Sequence, residues 1–422
     1  MKTLVFLVSL LIPLIAQAQW TTSSGINAGR NDDICFINDS VGYVAGGNRF
    51  RISKTIDGGS SWSNVFVNGA YLRSIKFIDE STGFCGSLDS AFYMTTDSGS
   101  TWIDISSSIS PRPKGICGIS IPDDSTIYGC GIYNEPAFII KSTDRGLTWT
   151  YIDMSVYAKA LVEVHFVSKD TGYAAGRANP LSDGGVILRT TDGGLSWQSV
   201  FKTMRSLDYV WKIQSPDGKN FFGSVSSAPN SPNTTFLKST DKGVNWTQGV
   251  VDTTWYDIQM IGFIDSLKGW TGGAAALFET IDGGQTWNRT ITAITGGSYY
   301  NRFTKKNDSS AFISGAKVYQ YKANTLLTGF VYEEKKESID IHSIQIIPNP
   351  TSSLRFKVKL GNKTHATIQL INMSGSVLET FHNGECLEGE HNYYSQKKYK
   401  PQIMFLTMRT NEGLFSEKVI FK

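Results

Sequence analysis

Long runs of strong helix formers are scarce in this 422-residue chain, and so are the side chains most often used for proton and metal chemistry. Of its five histidines only His165 precedes residue 322. No P-loop, HExxH motif, Ser/His/Asp set or cysteine–histidine pair is present, so the commonest nucleotide-binding, zinc-protease and nucleophilic-hydrolase readings are excluded. The five cysteines, Cys35, Cys85, Cys117, Cys130 and Cys386, are odd in number and contain no CxxC. That spacing indicates neither a zinc site nor a disulfide scaffold. Cys117 and Cys130 are equally distant from the centre of the "PDDS" turn at 122–125, which would place them opposite each other across a hairpin. A disulfide or two buried free thiols both fit that placement. Charge of one sign is also lacking. With 40 Lys and Arg against 37 Asp and Glu, the net charge of +3 gives no argument for nucleic acid or an anionic membrane as partner. Nothing points to a cofactor or a metal.

What is plentiful is glycine, at 41 residues, and aromatics, at 12%. Many short strands joined by tight turns suit that composition. The length allows one large domain or two to three ordinary ones. Lys2 followed by an apolar run of about a dozen residues and then Ala16-Gln17-Ala18 reads as a secretory signal peptide over 1–18, leaving a mature chain from Gln19. An uncleaved anchor is the alternative, although the run is short for a bilayer.

The rest of the chain repeats itself. "TIDGGSSW" (55–62), "TTDSGSTW" (95–102), "STDRGLTW" (142–149), "TTDGGLSW" (190–197), "STDKGVNW" (239–246) and "TIDGGQTW" (280–287) are variants of one octapeptide. Their aspartates are 40 to 49 residues apart, the period of a solenoid, propeller or array. Between them a hairpin pattern recurs, as in "KFIDESTGFCGS" (76–87) and "GFIDSLKGWTGG" (262–273), with a weaker seventh copy, "RFTKKNDSSAFISG" (302–315). Two hairpin strands, one leading into the octapeptide and one starting at its Trp make four per repeat, which is a propeller blade. The seventh repeat never reaches a "TW" strand. Gln19-Trp20-Thr21 resembles Asn245-Trp246-Thr247, so the mature N-terminus is expected to supply the missing strand and leave no open edge. A six-bladed ring with a degenerate appendage is the alternative. The expected fold is all-β: a seven-bladed β-propeller over 19–325, closed by its N-terminal strand, then a connector (326–342) and a small C-terminal β-sandwich (343–422).

Within each octapeptide the Asp, the second Gly position and the Trp are constant, and the residue after the Asp varies freely. A tight turn explains this. The carboxylate accepts backbone amides, the glycine supplies φ > 0, and the indole packs between repeats. Asp57, Trp62, Asp97, Trp102, Asp144, Trp149, Asp192, Trp197, Asp241, Trp246, Asp282 and Trp287 carry this pattern, which resembles the Asp-box (BNR) repeat. The resemblance implies a structural element on the face away from the ligand. Sialidases also carry Asp boxes, together with an F-R-I-P arginine. Phe50-Arg51-Ile52-Ser53 is similar, but it lacks the proline and runs straight into the first box, so no sialidase residue is carried over. The ring as a whole is closer to propellers of the photosystem II assembly/stability-factor type.

The last 80 residues resemble the type IX secretion C-terminal sorting domain of the Bacteroidetes, on a P-N-P-T-S start (348–352), "NMSGSVL" (372–378) and "SEKVIFK" (416–422). Lys400-Pro401 stands where that family often has G-x-Y. The resemblance implies the type IX secretion machinery as partner and an extracellular or outer-membrane-surface location.

A ligand is expected at the mouth of the central channel, among the loops that lead into the innermost strands. Candidate ligand contacts there are Tyr71, Arg73, Tyr209, Trp211, Trp255, Tyr256, Tyr300 and Arg302, with Tyr157, Tyr299, Arg112 and Arg205 beside them. Aromatic and arginine side chains anchor glycans and peptides well, and packing between blades is the competing use for them. Two facing carboxylates would be enough for a glycosidase. Asp208, Asp257 and Glu163 lie near that face, but no spacing pairs them. The function expected is non-enzymatic binding of a glycan or surface-protein ligand, with a glycan-active hydrolase or an assembly-factor-like scaffold as alternatives.

Overall fold

The computed structural model describes residues 19–323, 342–346, 351 and 353–421, apart from 27–28, 47–49, 68, 230, 291–298, 373–375 and 412. The expected signal peptide, most of the connector and most of the P-N-P-T-S start lie outside the described residues. Two compact units are present, Met1–Thr328 and Gly329–Lys422.

In the first unit the described residues form seven four-stranded antiparallel sheets. Their first strands are Asn31–Phe36, Leu72–Phe77, Gly118–Ser120, Ala158–Phe166, Tyr209–Gln214, Ile258–Phe263 and Tyr300–Asn307. Each packs on the first strand of the next sheet, and Tyr300–Asn307 packs back on Asn31–Phe36. Six sheets are consecutive meanders. In the seventh, Gln19–Thr22 pairs antiparallel with Val318–Lys322, with Trp20 opposite Tyr321. Inner strands are covered on both sides by neighbouring sheets, so they read as apolar or small runs rather than alternations. Gly42–Gly46 is buried throughout, whereas the outermost strand of the same sheet, Ser63–Val67, is exposed or half-buried. Small residues permit the close approach: a Cβ on Gly86 would lie 2.4 Å from the Ile116 carbonyl oxygen of the next sheet.

The octapeptides close the turns between third and fourth strands. The Thr95 hydroxyl donates to Asp97 Oδ1 (2.8 Å) and accepts from the Gly99 amide (3.0 Å), while Asp97 accepts from the Thr101 amide (2.8 Å) and hydroxyl (2.7 Å). The same bonds recur at Asp57, Asp144, Asp192, Asp241 and Asp282. Bonds from the residue four positions on, and from the preceding Ser or Thr, hold the Asp57, Asp97, Asp144, Asp241 and Asp282 carboxyls at about 2. The position after the Asp is more constrained than its variability suggests. It is left-handed in all six turns, including Ser98 (φ 60°), Arg145 (φ 63°) and Lys242 (φ 60°).

Four of the six turns are fastened to the preceding sheet through a carbonyl at 3.0 Å or less. The Tyr43, Tyr128 and Tyr173 hydroxyls donate to the Ser98, Gly193 and Lys242 carbonyls at 2.6, 3.0 and 2.5 Å. Lys54 and Lys141 bond to the same Ser98 and Gly193 carbonyls, and Lys238 does this to Gly283. The octapeptide Trp fills the seam beside it, as Trp102 does against Phe66 and Phe77, and Trp246 does against Phe221. In the seventh sheet Trp20 takes this place, with its ring 5.2 Å from that of Trp270.

Two details differ from the sequence expectation. Cys130 pairs with Gly118, not with Cys117, and both thiols are free and buried. Asp123 accepts the Ser125 and Thr126 amides, and Ser120 pairs with Tyr128, so the hairpin centres on Asp124 and the register moves by one residue. Fourth strands also begin just after the Trp, as in Gln198–Lys202, because the indole turns into the seam.

The second unit has a three-stranded antiparallel sheet (His342–Ile346, Arg355–Leu360, Gly389–Tyr394) and a four-stranded one (Val377–Cys386, Thr364–Ile371, Ile403–Thr410, Gly413–Ile420). Burial alternates strictly along Arg355–Leu360, and Phe356, Val358, Leu370 and Leu406 belong to one shared core. Gly389–Tyr394 carries little strand signal in the sequence, since Glu390-His391-Asn392 is a polar run and the stretch has no β-branched residue.

Candidate binding face and its charged channel

An antiparallel meander puts the turns into first strands, and those between second and third strands, at the end opposite the Asp boxes. The first strands carry charge inward from this end. Arg302 in the seventh sheet donates from Nε to Asp33 in the first (2.9 Å) and from Nη1 to Glu163 in the fourth (2.6 Å). Lys212 in the fifth sheet donates to the other Glu163 oxygen (2.8 Å), and the Ile75 amide of the second sheet donates to Asp33 (2.9 Å). One connected network therefore spans five sheets across the channel.

Burial alone would raise the Glu163 and Asp33 carboxyls. For each, Arg302 is the chief opposing charge, joined by Lys212 and, at Asp33, by Lys76, and both end below the usual carboxylate range. Burial and the Arg302 charge lower Lys212, against the pull of Glu163. Above this layer Arg73 ion-pairs with Asp32, which also accepts from Arg30 Nε at 2.9 Å.

The candidate ligand contacts divide accordingly. Arg302 and Arg73 are 9% and 6% exposed and committed to buried carboxylates. Tyr300 is 1% exposed and packs on Tyr319. Burial, then the nearby Asp32 carboxylate, pushes the half-buried Tyr71 hydroxyl up to about 12. Tyr209 and Trp211 do come together at the mouth. Their rings stack at 5.3 Å, with Arg73 over Trp211 (5.4 Å) and Arg177 over Tyr209 (4.9 Å). Trp255 donates to the Ser227 carbonyl (2.9 Å). Arg205 donates to Ser227 and Ser231 (both 2.6 Å) and pairs with Asp208 (3.0 Å), so these residues pin the 226–235 loop. Tyr256 lies under Arg289 (5.2 Å). Tyr299 is exposed, with Arg30 over its ring at 5.5 Å.

The acids are committed as well. Asp208 is fully buried, with one oxygen on Arg205 and the other without a hydrogen-bond partner among the described residues, and Asp257 accepts from Ser226 (2.7 Å). Burial shifts His165 down to about 4, so it is neutral at pH 7, and its ring faces Phe221 at 6.2 Å. Among the described residues no group of three His, Cys, Asp or Glu side chains could hold a metal ion. Sequence reading missed Asp32, Asp33 and Lys212. The available signal was charge inside strands that should be apolar throughout, "NDDICF" and "YVWKIQ".

No protein-family model matches the chain. It is similar to the photosystem II assembly lipoprotein Ycf48 of Synechococcus sp. (strain CC9902), 26% identical over 174 residues, which is 39% of this chain. The match spans 46% of that relative's length. Among solved structures, YCF48 bound to a D1 peptide superposes with a TM-score of 0.54 at 18% identity, covering 72% of this chain and 97% of that one. YCF48 from Cyanidioschyzon merolae gives 0.56 at 16% identity, with 72% and 99% covered. The Niastella koreensis GH74 enzyme gives 0.55 at 13% identity, with 94% and 67% covered. At these identities the likeness establishes the fold, and the first unit of this chain is a β-propeller.

Proposed function

We propose that the seven sheets are the blades of one ring closed by Gln19–Thr22, and that this ring is a non-enzymatic binding module whose ligand lies across the stacked mouth of the channel. The observation that carries this reading is the commitment of the acids. Glu163, Asp33, Asp32, Asp208 and Asp257 each hold a cation or a hydroxyl. A glycosidase needs one carboxyl free to donate a proton and a second facing it. Glu163 and Asp33, ion-paired and held below the usual carboxylate range, are poor acids at neutral pH.

Of the two expected ligand classes, a peptide segment of another protein is favoured. A structural neighbour was solved with a peptide bound. The mouth offers the edges of the stacked Tyr209–Trp211 pair and the arginines that sandwich it, groups that anchor peptide backbones and side chains well. The alternative of an assembly-factor-like scaffold differs from this only in the partner's fate.

Export completes the proposal. Residues 1–18 serve as a signal peptide, and the second unit is a β-sandwich sorting domain that delivers the propeller to the cell surface or medium by the type IX route. The test is a peptide array and a glycan array probed with the purified protein, with the same samples assayed for released sugar. Binding without turnover, weakened at least tenfold by Trp211→Ala, is expected. Turnover of any glycan would overturn the non-enzymatic reading. N-terminal sequencing of the exported protein should start at Gln19, and deletion of 343–422 should leave the chain inside the cell envelope.

A further inference from the structure

At the opposite end, where the Asp boxes lie, a cavity of about 500 Å³ opens between the first strands of the seventh, first and second sheets. Lys76, Lys305 and Lys306 line it, with Thr304 and Asn307 beside them and Asp39 as its one carboxylate. Lysines elsewhere at this end have work to do. Lys54, Lys141 and Lys238 each cap an Asp-box carbonyl at 2.7 to 3.0 Å. Those in the cavity are held less firmly. Lys306 lies over the Phe36 ring at 5.3 Å and reaches Gly58 O only at 3.4 Å. The partner of Lys305 is Asp308, a side chain 98% exposed, and such pairs contribute little. Lys76, half-buried on an inner strand, makes no hydrogen bond or ion pair with the described residues, and neither does the Thr304 hydroxyl. Three ammonium groups around one recess repel each other, and half-buried Lys76 has lost hydration while gaining only an unbonded attraction to Asp33.

A second cavity of about 500 Å³ shares Asp39 and Lys306 with the first and is lined by Ser40, Asp57, Ser309 and Gln320, all hydrogen-bonding groups. We infer that the lysine-lined cavity is a second binding site, separate from the mouth, for a tetrahedral oxyanion, phosphate or sulfate. The anion is either free or carried on a sugar whose hydroxyls the adjoining cavity receives. Lys76 and Lys305 supply the charge and Thr304 a hydrogen bond. Asp39, at the junction, accepts from a hydroxyl and excludes a second anion.

The test is calorimetric titration of the whole protein with inorganic phosphate, inorganic sulfate and glucose 6-phosphate, at ionic strength held constant with chloride. Saturable one-site binding is expected, at least tenfold weaker in Lys76→Gln and in Lys305→Gln and unchanged in Lys169→Gln, an exposed lysine on a distant turn. Lys305 is close to the surface, so its variant carries the test if Lys76→Gln fails to fold. Tighter binding of glucose 6-phosphate than of phosphate assigns the site to a sugar-borne anion, and equal or weaker binding assigns it to the free ion. The inference is overturned if no probe binds saturably, or if binding survives the two substitutions combined.

Discussion

Replacing Glu163 by Gln tests the charged channel most directly. The side chain is buried and holds two buried cations, Lys212 at 2.8 Å and Arg302 at 2.6 Å. Glutamine keeps the shape and one acceptor oxygen but removes the charge. Arg302 retains Asp33, whereas Lys212 is left buried without a bonded counter-charge. Breaking a buried pair from one side costs about 3–5 kcal/mol, more than the net worth of the pair itself. All ten tryptophans precede residue 322, so intrinsic fluorescence during urea unfolding of the whole chain reports the propeller alone. The loss should also depend on pH. Lys212 is already shifted down by burial and Arg302, and without Glu163 it falls further. Its folded state then binds fewer protons than its unfolded state, so the variant regains stability as pH rises from neutrality toward the ordinary lysine range. Adding Lys212→Met removes the stranded cation and should restore most of the loss at pH 7. A loss below about 1 kcal/mol, the size of an exposed pair, would refute the reasoning. So would a double variant no more stable than Glu163→Gln.

The Asp boxes give an acid prediction. Carboxyls held at about 2 rather than 3.8 contribute stability that is fully present above about pH 4 and lost as pH falls toward 2. The fluorescence-detected acid transition should therefore lie in that window and be shallower in Asp97→Asn. At the left-handed positions, Gly243→Ala should cost about 2–4 kcal/mol, from backbone strain plus overpacking against Tyr173, while Lys242→Gly should be neutral or stabilising by up to about 1 kcal/mol. A larger effect at Lys242 than at Gly243 in urea melts would contradict the turn geometry. Trp20→Ala should cost about 3–5 kcal/mol and expose Gln19–Thr22 to aminopeptidase trimming, because it empties the seam against Trp270. A variant as stable and as protected as the native protein would show that the ring does not depend on this strand.

How much of this was legible depends on what repetition records. The octapeptide could be read because one local solution, a carboxylate bound to its own turn, recurs six times, and comparison between copies separates the fixed positions from the free ones. Trp20 could be read for the same reason, since it completes a pattern that residues 302–322 leave short of one strand. The channel could not be read that way. Asp33, Glu163, Lys212 and Arg302 occur once each, on strands of four different sheets, and they meet only because the ring closes. A charge inside a buried strand indicates that a partner exists, since an unpaired one is too costly to keep. It does not say which of the other strands carries that partner. The same ambiguity explains why Arg73 and Arg302 looked like ligand anchors, because an arginine at the end of an inner strand points toward the channel in either case. What decides its use is the acid opposite. Here Asp32 stands opposite Arg73, and Asp33 and Glu163 stand opposite Arg302, so both arginines are used inside the protein, whereas Tyr209 and Trp211 stack at the mouth with no carboxylate among the described residues bound to them.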